Sequence, residues 1–145
     1  MTTFRNAFCT VLGAIGGFIA YLFGGWSEDL ITLIIFMSID FVMGVILALV
    51  FKKSNKTESG AYNSHAGWIG LVKKCVILLF VLIAHRLDMV LNTEYIRTAT
   101  IIGFVVNEGI SIVENAGLMG IPLPSVINRA IEILKKKAED DEPQN

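Results

Sequence analysis

Charge is what this chain of 145 residues has least of. Only 17% of its residues are Asp, Glu, Lys or Arg, and the formal net charge is −1; soluble domains carry roughly 25%. A near-neutral chain with few bases offers no broad positive surface to a phosphate backbone, so nucleic acid is excluded as a partner. Cysteine is also scarce. Cys9 and Cys75 stand at the starts of separate apolar runs, with no C-x-x-C spacing and no histidine pair nearby, and so form no metal or redox motif. The two histidines, His65 in a polar stretch and His85 in an apolar one, have no evident nucleophile beside them. There is no G-x-S-x-G, no H-E-x-x-H and no Gly-rich phosphate loop. These absences argue against an enzyme and against a bound cofactor.

What the chain has instead is apolar length. Hydrophobic residues make up 54% of it, and the few charges are gathered into short clusters, which leaves long runs without any. AFCTVLGAIGGFIAYLFGG (Ala7–Gly25) carries no charge, and the segment Leu30–Phe51 carries only Asp40. Each matches the roughly 20 residues that a helix needs to cross a bilayer. A third run, CVILLFVLIAHRLDMVL, holds His85, Arg86 and Asp88 in its last turns; a fourth, TATIIGFVVNEGISIV, holds Asn107 and Glu108. The chain therefore reads as an all-α integral membrane helical bundle with four transmembrane helices, over residues 7–25, 30–51, 73–91 and 98–115, within a unit at 1–116. A three-span arrangement, with the fourth run in the interface, is the alternative. The first run is too long for a signal-peptide core, and the WSED after it has no small-x-small cleavage pattern, so it is expected to be retained.

Orientation follows from the bases, which cytoplasmic loops keep. The link WSED has none, whereas residues 52–72 and the bases just beyond supply Lys52, Lys53, Lys56, Lys73 and Lys74. The end of the chain carries Arg129 and Lys135, Lys136 and Lys137. Both termini and the middle loop are accordingly expected on the cytoplasmic side of a bacterial cytoplasmic membrane, with these lysines at the inner leaflet. The loop at 52–72 has the Lys, Ser, Asn and Gly content of a flexible connector. Trp26 and Trp68 flank apolar runs and suit the headgroup zone.

Residues 117–145 open with a break at Gly117, Gly120, Pro122 and Pro124, after which Ser125 offers an N-cap. Val126, Ile127, Ala130, Ile131 and Leu134 then follow the spacing of one helical face. Such an amphipathic basic helix either lies on an anionic inner leaflet or is a soluble tail. The acidic residues 139–145 are expected to be unstructured.

Within the spans, small residues mark faces where helices approach closely. Gly13 and Gly17 form a GxxxG pair, and Gly16, Ala20 and Gly24 an adjoining stripe. Asp40, Gly44 and Ala48 are spaced four apart, which places the carboxylate on a packing face and not toward lipid. An ionised aspartate at a helix centre costs ~2.5 to 3.5 kcal/mol on insertion scales, so Asp40 must be paired, neutralised or hydrated. It reads either as a group whose solvation changes on assembly or as a fixed hydrogen-bonding partner across a helix interface. Gly103, Asn107 and Ser111, with Glu108 beside them and Glu114 and Asn115 one or two turns on, form a comparable polar face. His85 and Asp88, three apart, suit an ion pair near the boundary. Polar groups in several spans of so small a protein point to a homo-oligomer in contact with membrane lipids.

Four blocks in order resemble the toxin-secretion and phage-lysis holins of Gram-positive bacteria and their phages: IGGFIAYLFGGW, SIDFVMGVILA, SHAGWIGLVKK leading into VLIAHRLD, and NEGISIVENAGLMGIPLP, the most specific. The likeness runs from residue 4 to residue 137 and places Asp40, Asp88, Lys73, Lys74 and Glu108 within matching motifs. It implies a protein that accumulates in the cytoplasmic membrane and then assembles into lesions that collapse the membrane potential. Through these a wall hydrolase (endolysin) or a large toxin leaves without stable direct binding. From the residues alone, a small ion channel or transporter subunit is the alternative, and a membrane scaffold the third reading.

Overall fold

The computed structural model describes residues 2–140 except 55, 57 and 62. It consists of α1 (Thr2–Phe23), α2 (Glu28–Ile46), α3 (Ser64–Leu91), α4 (Ile96–Leu118) and α5 (Ser125–Asp140), with no strand among the described residues. The first four are long and apolar enough to cross a membrane, α2 together with the π-helical turn Leu47–Phe51 that prolongs it. The all-α expectation therefore holds, but two element bounds move. α3 begins at Ser64, capped by Asn63, whose side-chain oxygen accepts from the His65 amide at 2.9 Å. Part of the stretch read as a connector is thus helical, and Lys73 and Lys74 lie inside a helix and not in a loop. α5 continues through Asp140; the rest of the acidic tail, 141–145, lies outside the described residues.

Local chemistry explains the ends. α1 stops where Gly24 takes φ 77°, a left-handed conformation that a side chain resists. The Gly25 amide then closes back on the Ala20 carbonyl at 2.7 Å. The same position is sterically reserved, because a Cβ on Gly24 would lie 2.5 Å from the His85 ring. α2 opens with Glu28 and Asp29, carboxylates at the positive end of the helix dipole. Its π turn ends at Lys52, φ 50°. α4 ends in a similar reversal, with Gly120 at φ 75° and the Ile121 amide donating to the Ala116 carbonyl at 3.0 Å.

Helices α2, α3 and α4 make the core. Leu30, Leu33 and Met37 from α2 pack with Val81 from α3 and with Ile101 and Val105 from α4. The three- and four-residue spacing on each helix is what turns one face inward. α1 stands largely apart: none of residues 3–23 is buried, though Phe23 packs on the core, and a Cβ on Gly13, Gly16 or Gly17 would meet nothing within 4 Å. Phe4, Phe8, Leu12, Ile15 and Phe18 are exposed. α5 folds back along α4. Ile131 and Phe36 lie 3.6 and 3.5 Å from where a Gly109 Cβ would stand, and Leu134 packs on the core.

One corner holds the ends of four helices together. Asp88, buried near the end of α3, accepts from the Ile96 and Arg97 amides at 3.0 and 2.8 Å and from Thr93 Oγ1 at 2.6 Å. It thereby satisfies the open first turn of α4, where Tyr95 makes no side-chain cap. Arg97 then reaches across: Nε donates to the Phe23 carbonyl at 2.7 Å and a terminal nitrogen to Ser27 Oγ at 2.7 Å, with Asp29 3.9 Å away. His85 stands near enough to act on Asp88 through space, but the carboxylate's hydrogen bonds go to the start of α4. Among the described residues no ion pair joins them, because the carboxylate faces α4 while the His85 ring sits over Gly24.

Arg97→Ala should destabilise the chain in detergent micelles by roughly 1.5 to 3 kcal/mol, the worth of a hydrogen bond to a charged group, read as an earlier midpoint in a dodecyl sulfate titration. Arg97→Lys should recover little of this, because an ammonium lacks the planar fork that reaches several oxygens at once. An unchanged midpoint in Arg97→Ala would show that the corner contributes nothing to folding.

Candidate functional site

Below that corner the three core helices each send a polar side chain to one point. Lys74 of α3 places Nζ 2.9 Å from Asp40 Oδ2 on α2 and 2.5 Å from Glu108 Oε2 on α4. The Asn115 amide of α4 donates to the other oxygen of Asp40 at 2.9 Å. The three charged side chains are 5% to 13% exposed. At 1.5 Å per residue, Asp40, Glu108 and Lys74 lie about 18, 18 and 21 Å along their helices from Glu28, Ile96 and Asp88 respectively. Three independent counts agree, and they set the network near the middle of the bundle.

The electrostatics follow from this depth. Two carboxyl groups share one ammonium, and Asn115 adds a donor that carries no charge. A charge at this level has little water to fall back on, so each partner depends on the others. Every buried side-chain nitrogen and oxygen among the described residues has a hydrogen-bond partner. Beside the network lies a cavity of about 190 Å³. Asp40, Gly44 and Ala48 form one wall, Lys73, Lys74 and Ile77 another, and Lys56 reaches in from the loop to within 3.8 Å of where a Gly44 Cβ would stand. Among the described residues no group of three or more His, Cys, Asp or Glu is placed to hold a metal ion.

The expected site residues separate into distinct places. Asp40, Gly44 and Ala48 do share a face, which lines the cavity, with Ala48 buried and Gly44 half-buried. Asp40 already has its partners inside one chain. Lys74 is not a headgroup-facing base: it is drawn into the bundle by two carboxylates, whereas Lys52, Lys53 and Lys73 are exposed. On α4 the buried polar residues are Glu108 and Asn115, two turns apart, while Gly103 and Asn107 are exposed and Ser111 is half-buried. Gly16 and Ala20 are half-buried, Gly24 packs on His85, and Gly13 and Gly17 are open. Lys135, Lys136 and Lys137 are exposed along α5.

Asn115, expected on the polar face of α4, lies seven residues beyond Glu108, which puts both on one side of the helix. One participant carries no earlier expectation. Arg97 bonds mainly to backbone carbonyls and one hydroxyl, and no residue pattern marks such a partner.

Lys74→Met should cost about 3 to 5 kcal/mol, since removing one member strands buried charge. The triple replacement Asp40→Leu, Lys74→Met, Glu108→Leu should cost much less than Lys74→Met alone. Dodecyl sulfate titration of both variants in micelles checks this ordering. A triple variant as unstable as the single one would mean that the network is not an electrostatic unit.

Comparison with known proteins agrees with this architecture. The sequence profile of the bacteriophage holin family matches residues 17–136. A probable holin of Bacillus phage phi105 is 31% identical over 128 residues, 85% of this chain and 88% of the phage protein. An uncharacterized protein of Halalkalibacterium halodurans is 38% identical over 123 residues, 81% of this chain and 85% of its own length. An uncharacterized 14.9 kDa protein of Clostridium perfringens is 34% identical over 126 residues, 86% and 89% respectively. No solved structure matches. With most of its length aligned to the family and four helices fit to cross a membrane, the chain belongs to the bacteriophage holin family.

Proposed function

We propose that the chain acts as a non-enzymatic holin, which self-associates in the bacterial cytoplasmic membrane and opens lesions through which an endolysin, or a large toxin, escapes as the membrane potential collapses. The family assignment supports the role, and α1 supports the self-association: it is a membrane-length helix with no buried residue over 3–23, whose Gly13 and Gly17 face open space. In lipid, such a small-residue face has no hydrophobic drive to hide, but it lets a second backbone come close enough for tight packing. The basic residues set the orientation proposed, with both termini and the loop after α2 on the cytoplasmic side. The buried network gives the monomer a stable core from which to assemble. The released protein needs no docking site on the chain, since a sufficiently wide lesion passes it by diffusion.

The test is expression in a bacterium with and without a cytoplasmic wall hydrolase, following membrane potential and the escape of a folded reporter protein. Abrupt, delayed loss of both, with lysis only when the hydrolase is present, is the expected result. Loss of potential without protein escape would identify a small channel instead. Replacing Gly13 and Gly17 by Leu should delay onset at matched expression and reduce cross-linked oligomer in the membrane. Unchanged timing and cross-linking would show that this face of α1 is not where subunits meet.

A further inference from the structure

Helix α5 presents a contradiction of solvent. Its apolar side is docked in part: Ile131 stands against Gly109 and Leu134 packs on the cluster built from Leu30, Leu33, Ile101 and Val105, both half-buried, while Val126, Ile127 and Ile133 are exposed. From the reversal at Gly120 to the level of Gly109 is about 16 Å along α4 at 1.5 Å per residue. The turn after Leu134 therefore lies deeper still, beside the apolar core. Its outer side carries Arg129, Glu132, Lys135 and Lys136, all exposed, and among the described residues none of them has an ion-pair partner. Hydrocarbon cannot solvate that side. A helix lying on the inner leaflet would keep these charges wet but would forfeit the contacts of Ile131 and Leu134. Both requirements are met together only if water stands beside α5 at the depth of the spans.

We infer that α5 lines the aqueous lumen of the assembled lesion, docked on α4 through Ile131 and Leu134 with its charged side toward the passing solutes. The inference rests on the holin reading, because only an assembly encloses such water. A dispersed subunit in lipid has none, so there α5 swings out about the Gly120 to Pro124 segment, and docking belongs to the open assembly. Four bases on this helix, Arg129, Lys135, Lys136 and Lys137, then bias the lumen toward anions against the acids near them.

The full chain, with Cys9→Ala and Cys75→Ala, would carry Gly109→Cys and Ile131→Cys, be reconstituted into phosphatidylglycerol and phosphatidylethanolamine vesicles, and be oxidised with diamide to a disulfide. The disulfide should form, and dextran release should persist with α5 locked in place. In planar bilayers under a tenfold KCl gradient rising from about 10 mM, where the screening length is about 30 Å, Lys135→Glu with Lys136→Glu should shift the reversal potential toward that of K⁺. Release abolished by the disulfide and restored by reduction would overturn the inference while leaving the holin reading intact. So would failure of the disulfide to form, or an unshifted reversal potential in the charge-reversed chain. No release from the reduced, otherwise unaltered chain would instead count against the holin reading itself.

Discussion

Lys74 is the residue on which the rest of the bundle depends. In water, helices associate because apolar faces leave the solvent, but in lipid that gain is absent and packing alone distinguishes a neighbour helix from a lipid tail. A single ammonium bonded to carboxylates on two other helices supplies direction that packing lacks. It sets the rotation of α2, α3 and α4 about their axes, since turning any one of them would withdraw a charge from its partner. The apolar contacts of Leu33, Val81 and Ile101 then follow from the register that the network imposes.

A second tie lies about 18 Å away along α4, where Asp88 closes the start of that helix and Arg97 reaches the turn between α1 and α2. Two polar clusters separated by that distance, with the apolar core between them, hold three helices at both levels. The flanking helices are attached differently. α1 is fastened near its C-terminal end, where Phe23 packs on the core, Gly24 meets His85 and Arg97 bonds to the Phe23 carbonyl. α5 is joined through a Gly- and Pro-containing segment and docks by one narrow apolar face.

The architecture was largely legible in the sequence because membrane helices are specified by length and by scarcity of charge, both of which survive in one dimension. Asp40 announced itself as a polar group on a small-residue face, and that face exists. What the residues did not disclose was its direction. Gly44 and Ala48 suit contact with another subunit and contact within the chain equally well, and in the folded chain they line the cavity beside Lys74. Lys74 itself was obscured by Lys73: a pair of lysines before an apolar run reads as a cytoplasmic flank. Yet Lys74, Val81 and Asp88 repeat every seven residues, and the inward face of α3 runs through all three. Arg97 was invisible because backbone carbonyls, its main partners, are common to every residue type.

On the holin function proposed above, the distribution of these ties bears on which parts of a subunit change as it assembles. If the buried charges were the moving part, assembly would have to break hydrogen-bonded ion pairs at mid-depth, where their loss is most costly. The network leaves none of its buried atoms unpaired, so a subunit gains nothing electrostatically by offering Asp40 or Glu108 to a neighbour. The groups that lack partners lie elsewhere: the open glycine face of α1 and the charged face of α5. Lipid serves the first poorly because it packs loosely there, and the second can dock on α4 only where water reaches its charges. An assembly that sets α1 faces against one another and draws α5 onto α4 beside water uses both while leaving the three-helix core as it stands.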